Sequence, residues 1–195
     1  DGSKGTLTSC SSSQYESPNL WTTFSCDDLG MNSDAMAPLG FPSTDGDQVA
    51  LSDPTIGDFV LFIYPRLSRP DQPDADEWAL IPGAKGCTAE SCEFRDLAAD
   101  FAQIGFSIFG LSTQDTDAQR DAVARLHLPY PLLSDPRLTL ARALDLPTFV
   151  YGGDELYTRS TLVVRGGAIV HTERDITDAA AHPRELLAHL AGHVL

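Results

Sequence analysis

The chain has 195 residues, a formal net charge of -15 at pH 7 and four cysteines. Its acidity argues against nucleic acid or an anionic membrane surface as partner, and no apolar run approaches the ~20 residues that span a bilayer. The length suffices for one α/β domain with an appendage, while four cysteines are too few for a disulfide framework.

Residues 1–40 are dominated by Ser, Thr, Asn, Asp and Gly, with Trp21 and Phe24 as isolated anchors, and read as a polar N-terminal arm. Cys10 and Cys26 fall in this arm without a Cys or His neighbour at ligand spacing, so no zinc site is expected there. No signal-peptide pattern is visible, and a start at Asp1 rather than Met is compatible with an N-terminal piece already removed. Residues 41–195 read as one folded domain. Asp45-Gly46 predicts a turn before a short strand over 48–51. The uninterrupted apolar run Phe59-Val60-Leu61-Phe62-Ile63-Tyr64 predicts a central strand buried on both faces. A proline-punctuated loop over 65–86 follows. The next helix opens at Cys87, with Phe94, Leu97, Ala98, Phe101 and Ile104 recurring at helical period. Strands are predicted over 106–111 and 131–133, flanking a helix over 116–126 that has Asp115 and Asp117 near its start. A helix over 137–144 comes next, then strands over 160–164 and 168–172 joined by the hairpin signal Gly166-Gly167. Pro183 begins a last helix, where its missing N–H costs nothing. This order predicts a mixed-sheet α/β domain, and a thioredoxin-like fold satisfies it.

The chemistry-bearing run is Gly86-Cys87-Thr88-Ala89-Glu90-Ser91-Cys92-Glu93-Phe94-Arg95-Asp96. A cysteine at a helix N-terminus faces the positive end of the helix dipole, so a stabilised thiolate is expected at Cys87. At ~100° per residue Cys87 projects within about 20° of Phe94, on the buried stripe, whereas Cys92 projects to nearly the opposite face. Two Cα atoms five apart in a helix are ~8–9 Å from each other, beyond the ~7 Å that a disulfide tolerates. The pair is therefore expected to stay apart while the helix is intact and to join only after local unwinding. That pattern points to redox chemistry.

The same run resembles the signature of the Q-type peroxiredoxins, also called bacterioferritin-comigratory proteins. The likeness extends to Phe62-Ile63-Tyr64-Pro65, Gly110-Leu111-Ser112, the stretch from Leu128 to Pro136, and Arg159-Ser160-Thr161-Leu162, and covers about residues 40–190. The resemblance implies a thioredoxin-like fold and a thiol-dependent peroxidase without a cofactor or metal. Cys87 would be the peroxidatic thiol, Cys92 the resolving thiol, and Arg159 the cation that stabilises the thiolate and polarises the peroxide. Gly86, Thr88 and Glu90 would line the substrate site. A carboxylate near the sulfur opposes its ionisation, so the expected job of Glu90 is to hydrogen-bond the arginine or help the helix start. Arg95 and Asp96 are expected to form a structural ion pair.

Two departures stand out. Pro65 lies far ahead of the cysteine, and Ala84-Lys85-Gly86 occupies the place of the family's Thr-Pro-Gly, which leaves Thr88 as the candidate hydroxyl. The long loop carries Trp78-Ala79-Leu80-Ile81-Pro82-Gly83-Ala84, similar to a variant subgroup. Expected partners are a peroxide and a thioredoxin-like or glutathione-type reductant, with a monomer or weak dimer in the cytoplasm. The alternatives are a peroxide-sensing regulatory protein with poor turnover and a thioredoxin-like copper-handling protein. His189 and His193 are i, i+4 on the last helix and read as surface residues rather than a metal pair.

Overall fold

The computed structural model describes residues 39–69, 76–174 and 176–192. The polar arm expected over 1–40, with Cys10 and Cys26, lies outside the described residues save for its last two positions, and so does His193. Nine strands are described: β1 (Gly40–Pro42), β2 (Gln48–Ala50), β3 (Phe59–Ile63), β4 (Ser107–Ser112), β5 (Leu132–Ser134), β6 (Thr148–Tyr151), β7 (Asp154–Tyr157), β8 (Ser160–Arg165) and β9 (Ala168–Arg174). The helices are α1 (Cys87–Asp96), α2 (Ala98–Gln103), α3 (Thr116–Leu126), α4 (Thr139–Leu144) and α5 (His182–Gly192). Among the described residues no helix is long and apolar enough to cross a membrane.

The main sheet runs β5-β4-β3-β8-β9, with β3, β4 and β5 mutually parallel and β8 and β9 antiparallel to their neighbours. This is the order expected of a thioredoxin-like fold. All five residues of β3 are buried because it is the central strand with helices or loops over both faces. Alternation splits its side chains: Phe59, Leu61 and Ile63 join the cluster with Leu133, Leu140, Leu144 and Tyr157, whereas Val60, Phe62 and Tyr64 join Phe94, Phe101, Leu186 and Cys87. Each fully buried side chain of this size contributes ~1.5–3 kcal/mol by leaving water.

The register assembles one end of the sheet. Ile63 pairs with Leu111 of β4 and with Ser160 of β8, and Thr161 pairs with Glu173 of β9. The chain leaving β3 (Tyr64 to Arg66), the residue entering β8 (Arg159) and the end of β9 therefore converge there. The start of α1 sits at that end, where Arg159 reaches Cys87.

Differences from the sequence reading have local causes. The helix expected to run through Ile104 breaks at Leu97 (φ −98°, ψ 2°) into α1 and α2. The apolar period runs through the break, with Phe94 and Phe101 both buried and their rings 5.7 Å apart, so periodicity carried no signal for it. The long loop after β3 holds a 3-10 turn, Asp76–Leu80, that buries Trp78. The hairpin β6–β7 was not expected, although Gly152-Gly153 between β-branched and aromatic residues is the same signal that correctly marked Gly166-Gly167. Its Leu156, with Phe149 and Tyr151, packs on Trp78 and Ala84.

Candidate active site

Gly86 precedes α1 in a left-handed conformation (φ 100°, ψ 5°), and a Cβ there would stand 2.8 Å from the Ala179 Cβ. Only glycine tolerates both the angle and the approach. The turn sends Cys87 inward, where it is 4% exposed in the same cluster as Phe94, as the helical projection required. Cys92 is half-buried, and both cysteines are free thiols on an unbroken α1.

Arg159 is the largest of the fully buried side chains. Its Nη2 donates to Cys87 Sγ at 3.3 Å and to the Lys85 carbonyl at 3.1 Å, and its Nη1 donates to Glu90 Oε2. A planar guanidinium can reach all three at once, which a lysine ammonium cannot do in the same plane. Glu90 is itself fully buried and thus meets the arginine, as expected. Its other oxygen lies 3.2 Å from His182 Nδ1, and His182 Nε2 lies 3.4 Å from Glu173 Oε2. Sequence reasoning missed His182 and Glu173. Both are distant in the chain from Cys87, and no local spacing marks them; only the packing of β9 and α5 beside α1 brings them in.

The Cys87 sulfur faces a cavity of about 270 Å³ lined by Arg66, Asp76, Trp78, Lys85 and Thr88, among others. Arg66 lies over the Trp78 ring at 4.3 Å and beside the Tyr151 ring at 5.2 Å, an arrangement that fixes the loop against the β6–β7 hairpin. Gly86 and Thr88 both line the cavity. Thr88, the candidate hydroxyl, is exposed where it lines the cavity, and the hydrogen bonds described at the sulfur go to other groups. The Sγ instead donates to the Ala84 carbonyl at 3.4 Å.

Burial works against the stabilised thiolate expected at this helix start. Burial pushes the Cys87 thiol up; Arg159 pulls it down, and Glu90 pushes it up again. Desolvation is the largest effect because the sulfur is almost wholly removed from water. The thiolate in this site therefore depends on how much of the Arg159 charge Glu90 leaves available. Away from the cavity, Arg95 pairs with Asp96 at 2.8 Å and reaches the Leu126 carbonyl, the structural role expected of it.

A buried cysteine at a helix start, faced by an arginine at one end of this mixed sheet, defines a thiol redox protein of the thioredoxin-like class. Residues 30–186 match the redoxin family. A Mycobacterium tuberculosis protein named as a peroxiredoxin is 31% identical over 160 residues, 80% of this chain and 88% of its own length. Peroxiredoxin bcp1 of Schizosaccharomyces pombe is 29% identical over 146 residues, 74% of this chain and 66% of its own. The structure of Xanthomonas campestris peroxiredoxin Q superposes with a TM-score of 0.66 at 26% identity, covering 83% of this chain and 95% of that one. The chain belongs to the redoxin family as a peroxiredoxin of the Q type, a thiol-dependent peroxidase.

Proposed function

We propose that Cys87 is the peroxidatic thiol, Arg159 its activating cation and Cys92 its resolving partner, acting on hydrogen peroxide and organic hydroperoxides. The observation that carries this is the 3.3 Å contact from Arg159 Nη2 to the Sγ of Cys87, a residue that lines the cavity. The Cys87 thiolate attacks one peroxide oxygen; the S–O bond forms as the O–O bond breaks, and the departing oxygen takes a proton to leave as water or an alcohol. Cys87 is then a sulfenic acid. Once α1 opens, the Cys92 sulfur attacks the Cys87 sulfur, releasing water and forming the Cys87–Cys92 disulfide. An external dithiol returns two electrons and two protons. Gly86, Thr88 and Glu90 shape the substrate site, the first as backbone, the second at the rim, the third through Arg159.

A thioredoxin-like or glutathione-type reductant, the cytoplasm and a monomer or weak dimer complete the reading; two free thiols suit such a reducing compartment. The alkyl peroxide reduction named for the Xanthomonas campestris bacterioferritin comigratory protein supports the organic substrates. A copper-handling role is not favoured, because Cys87 is buried against an arginine while Cys92 faces elsewhere. The test is peroxide consumption with thioredoxin, with glutathione and without reductant. Cys87→Ser should abolish it, whereas Cys10→Ser and Cys26→Ser should retain most of it. Substantial turnover by Cys87→Ser would overturn the assignment, and oxidation without steady-state turnover under every reductant would favour a regulatory sensor.

A further inference from the structure

We propose that His182 is a positioning residue of this site: at ion-pair distance from both Glu173 and Glu90, it offsets the charge of the Glu90 carboxylate, so that the charge of Arg159 acts on the Cys87 sulfur. The proposal rests on Cys87 being the reacting thiol. Four contacts carry it: Glu173 to His182 at 3.4 Å, His182 to Glu90 at 3.2 Å, Glu90 to Arg159, and Arg159 to Cys87 Sγ at 3.3 Å.

The charges decide the argument. With a neutral His182, Glu90 and Arg159 cancel, and a thiolate at a site 4% exposed would be an uncompensated buried charge. With a charged His182, the group nearest the sulfur carries one net positive charge. Glu173 sits outermost, four contacts removed from the sulfur and with its side chain 24% exposed, so its charge weighs on Sγ less than those of the nearer groups. The other groups facing the imidazole fit this account. Phe94 of α1 presents its ring edge-on at 5.8 Å, and His171 of β9 is held neutral-leaning by burial, its pKa lowered. On α5 itself Arg184 is engaged with Glu93, and the His189 ring lies against that of His171. Burial pulls the His182 pKa down, but Glu173 and Glu90 outweigh it and carry it up to about 9, so the imidazolium is the form present at neutral pH.

The helix geometry shows why this device is built from α5. Asp178 accepts hydrogen bonds from the Ala180 and Ala181 N–H groups and its carbonyl from the His182 N–H, fixing the first turn. Ala179, just before, is the residue against which Gly86 packs. One short segment thus supports both the turn that aims Cys87 and the cation that tunes it.

The test is the pH profile of Cys87 alkylation by iodoacetamide, read by mass spectrometry of the Cys87 peptide, in folded His182→Gln and wild-type protein. His182→Gln keeps a donor and removes the charge; the apparent Cys87 pKa should rise by about one unit, with alkylation at pH 7 about tenfold slower. An unshifted profile in a folded variant overturns the proposal, even if peroxide turnover falls, because packing alone would then explain the loss. Should His182→Gln fail to fold, Glu173→Gln at the half-exposed end of the clamp decides. It should lower the His182 pKa seen by NMR and slow Cys87 alkylation at pH 8 by about twofold to threefold; no change in either overturns the proposal. Neither readout is peroxide turnover, so a failure here is distinct from a failure of the Cys87 assignment, which Cys87→Ser tests.

Discussion

Cys87 and Cys92 stand five residues apart on α1 and meet opposite surroundings. Cys87 is buried, touches Arg159 and the Ala84 carbonyl, and belongs to the core cluster that holds Phe94 and Phe62. Cys92 is half-buried, and the carbonyl of its neighbour Ser91 accepts from the Tyr130 hydroxyl at 2.6 Å. A helical turn thus separates a site that selects peroxide from a thiol that must wait. The difference teaches that, on the proposed mechanism, secondary structure keeps peroxide attack and resolution apart and its local loss is what would join them.

The sharpest way to break the comparison is to remove what makes Cys87 special. Arg159→Ala should lower the second-order rate with peroxide by about 10²–10³, the range seen when one preorganised donor to a developing charge is deleted. Arg159→Lys should recover only part of it, since a point charge cannot serve Sγ, Glu90 and the Lys85 carbonyl together. Stopped-flow measurement at neutral pH, with circular dichroism to confirm the fold, checks both. A near-normal rate for Arg159→Ala would show that another cation governs Cys87.

Removing the other side of the comparison should cost less at the first step. Cys92→Ser should react once with peroxide at close to the wild-type rate, then accumulate Cys87 sulfenic acid and over-oxidise to the sulfinic acid with excess peroxide. Mass spectrometry of the Cys87 peptide after one and many equivalents reads this directly. Normal multiple turnover by Cys92→Ser would show that the sulfenic acid is resolved by a different thiol.

The smallest effect, and the most local, concerns the helix between them. Reduced protein should protect the amides of residues 87–93 from hydrogen exchange; protein with a Cys87–Cys92 disulfide should lose that protection while Phe94 and Phe101 stay packed. Counting helical hydrogen bonds at ~1 kcal/mol each puts the opening at a few kcal/mol. The structure adds more, because Glu90 leaves Arg159 and His182, and breaking a buried charge pair costs ~3–5 kcal/mol. Conversion of a thiolate to a neutral sulfenic acid removes the attraction between Arg159 and the sulfur, so the chemical step itself weakens the closed state. Equal protection in both forms would mean that α1 does not open to make the disulfide.

What the sequence alone determined about this protein follows from local physics. The continuous burial of β3, the Asp115 start of α3, whose side chain accepts from the Ala118 N–H at 2.7 Å, and the Gly166-Gly167 turn are all decided by neighbours in the chain. The inward projection of Cys87 with Phe94 and the separation of Cys92 are consequences of helix pitch and were legible for the same reason. The tertiary structure decided the rest. It set the direction of the Cys87 pKa, because desolvation depends on what closes over the sulfur and no local rule counts that. It left Thr88 at the rim, clamped the long loop through Trp78 and Arg66, and placed His182 and Glu173 behind Glu90. Those contacts join strands and helices far apart in the chain. Burial and charge pairing act through space, and only the packed sheet says which residues share it.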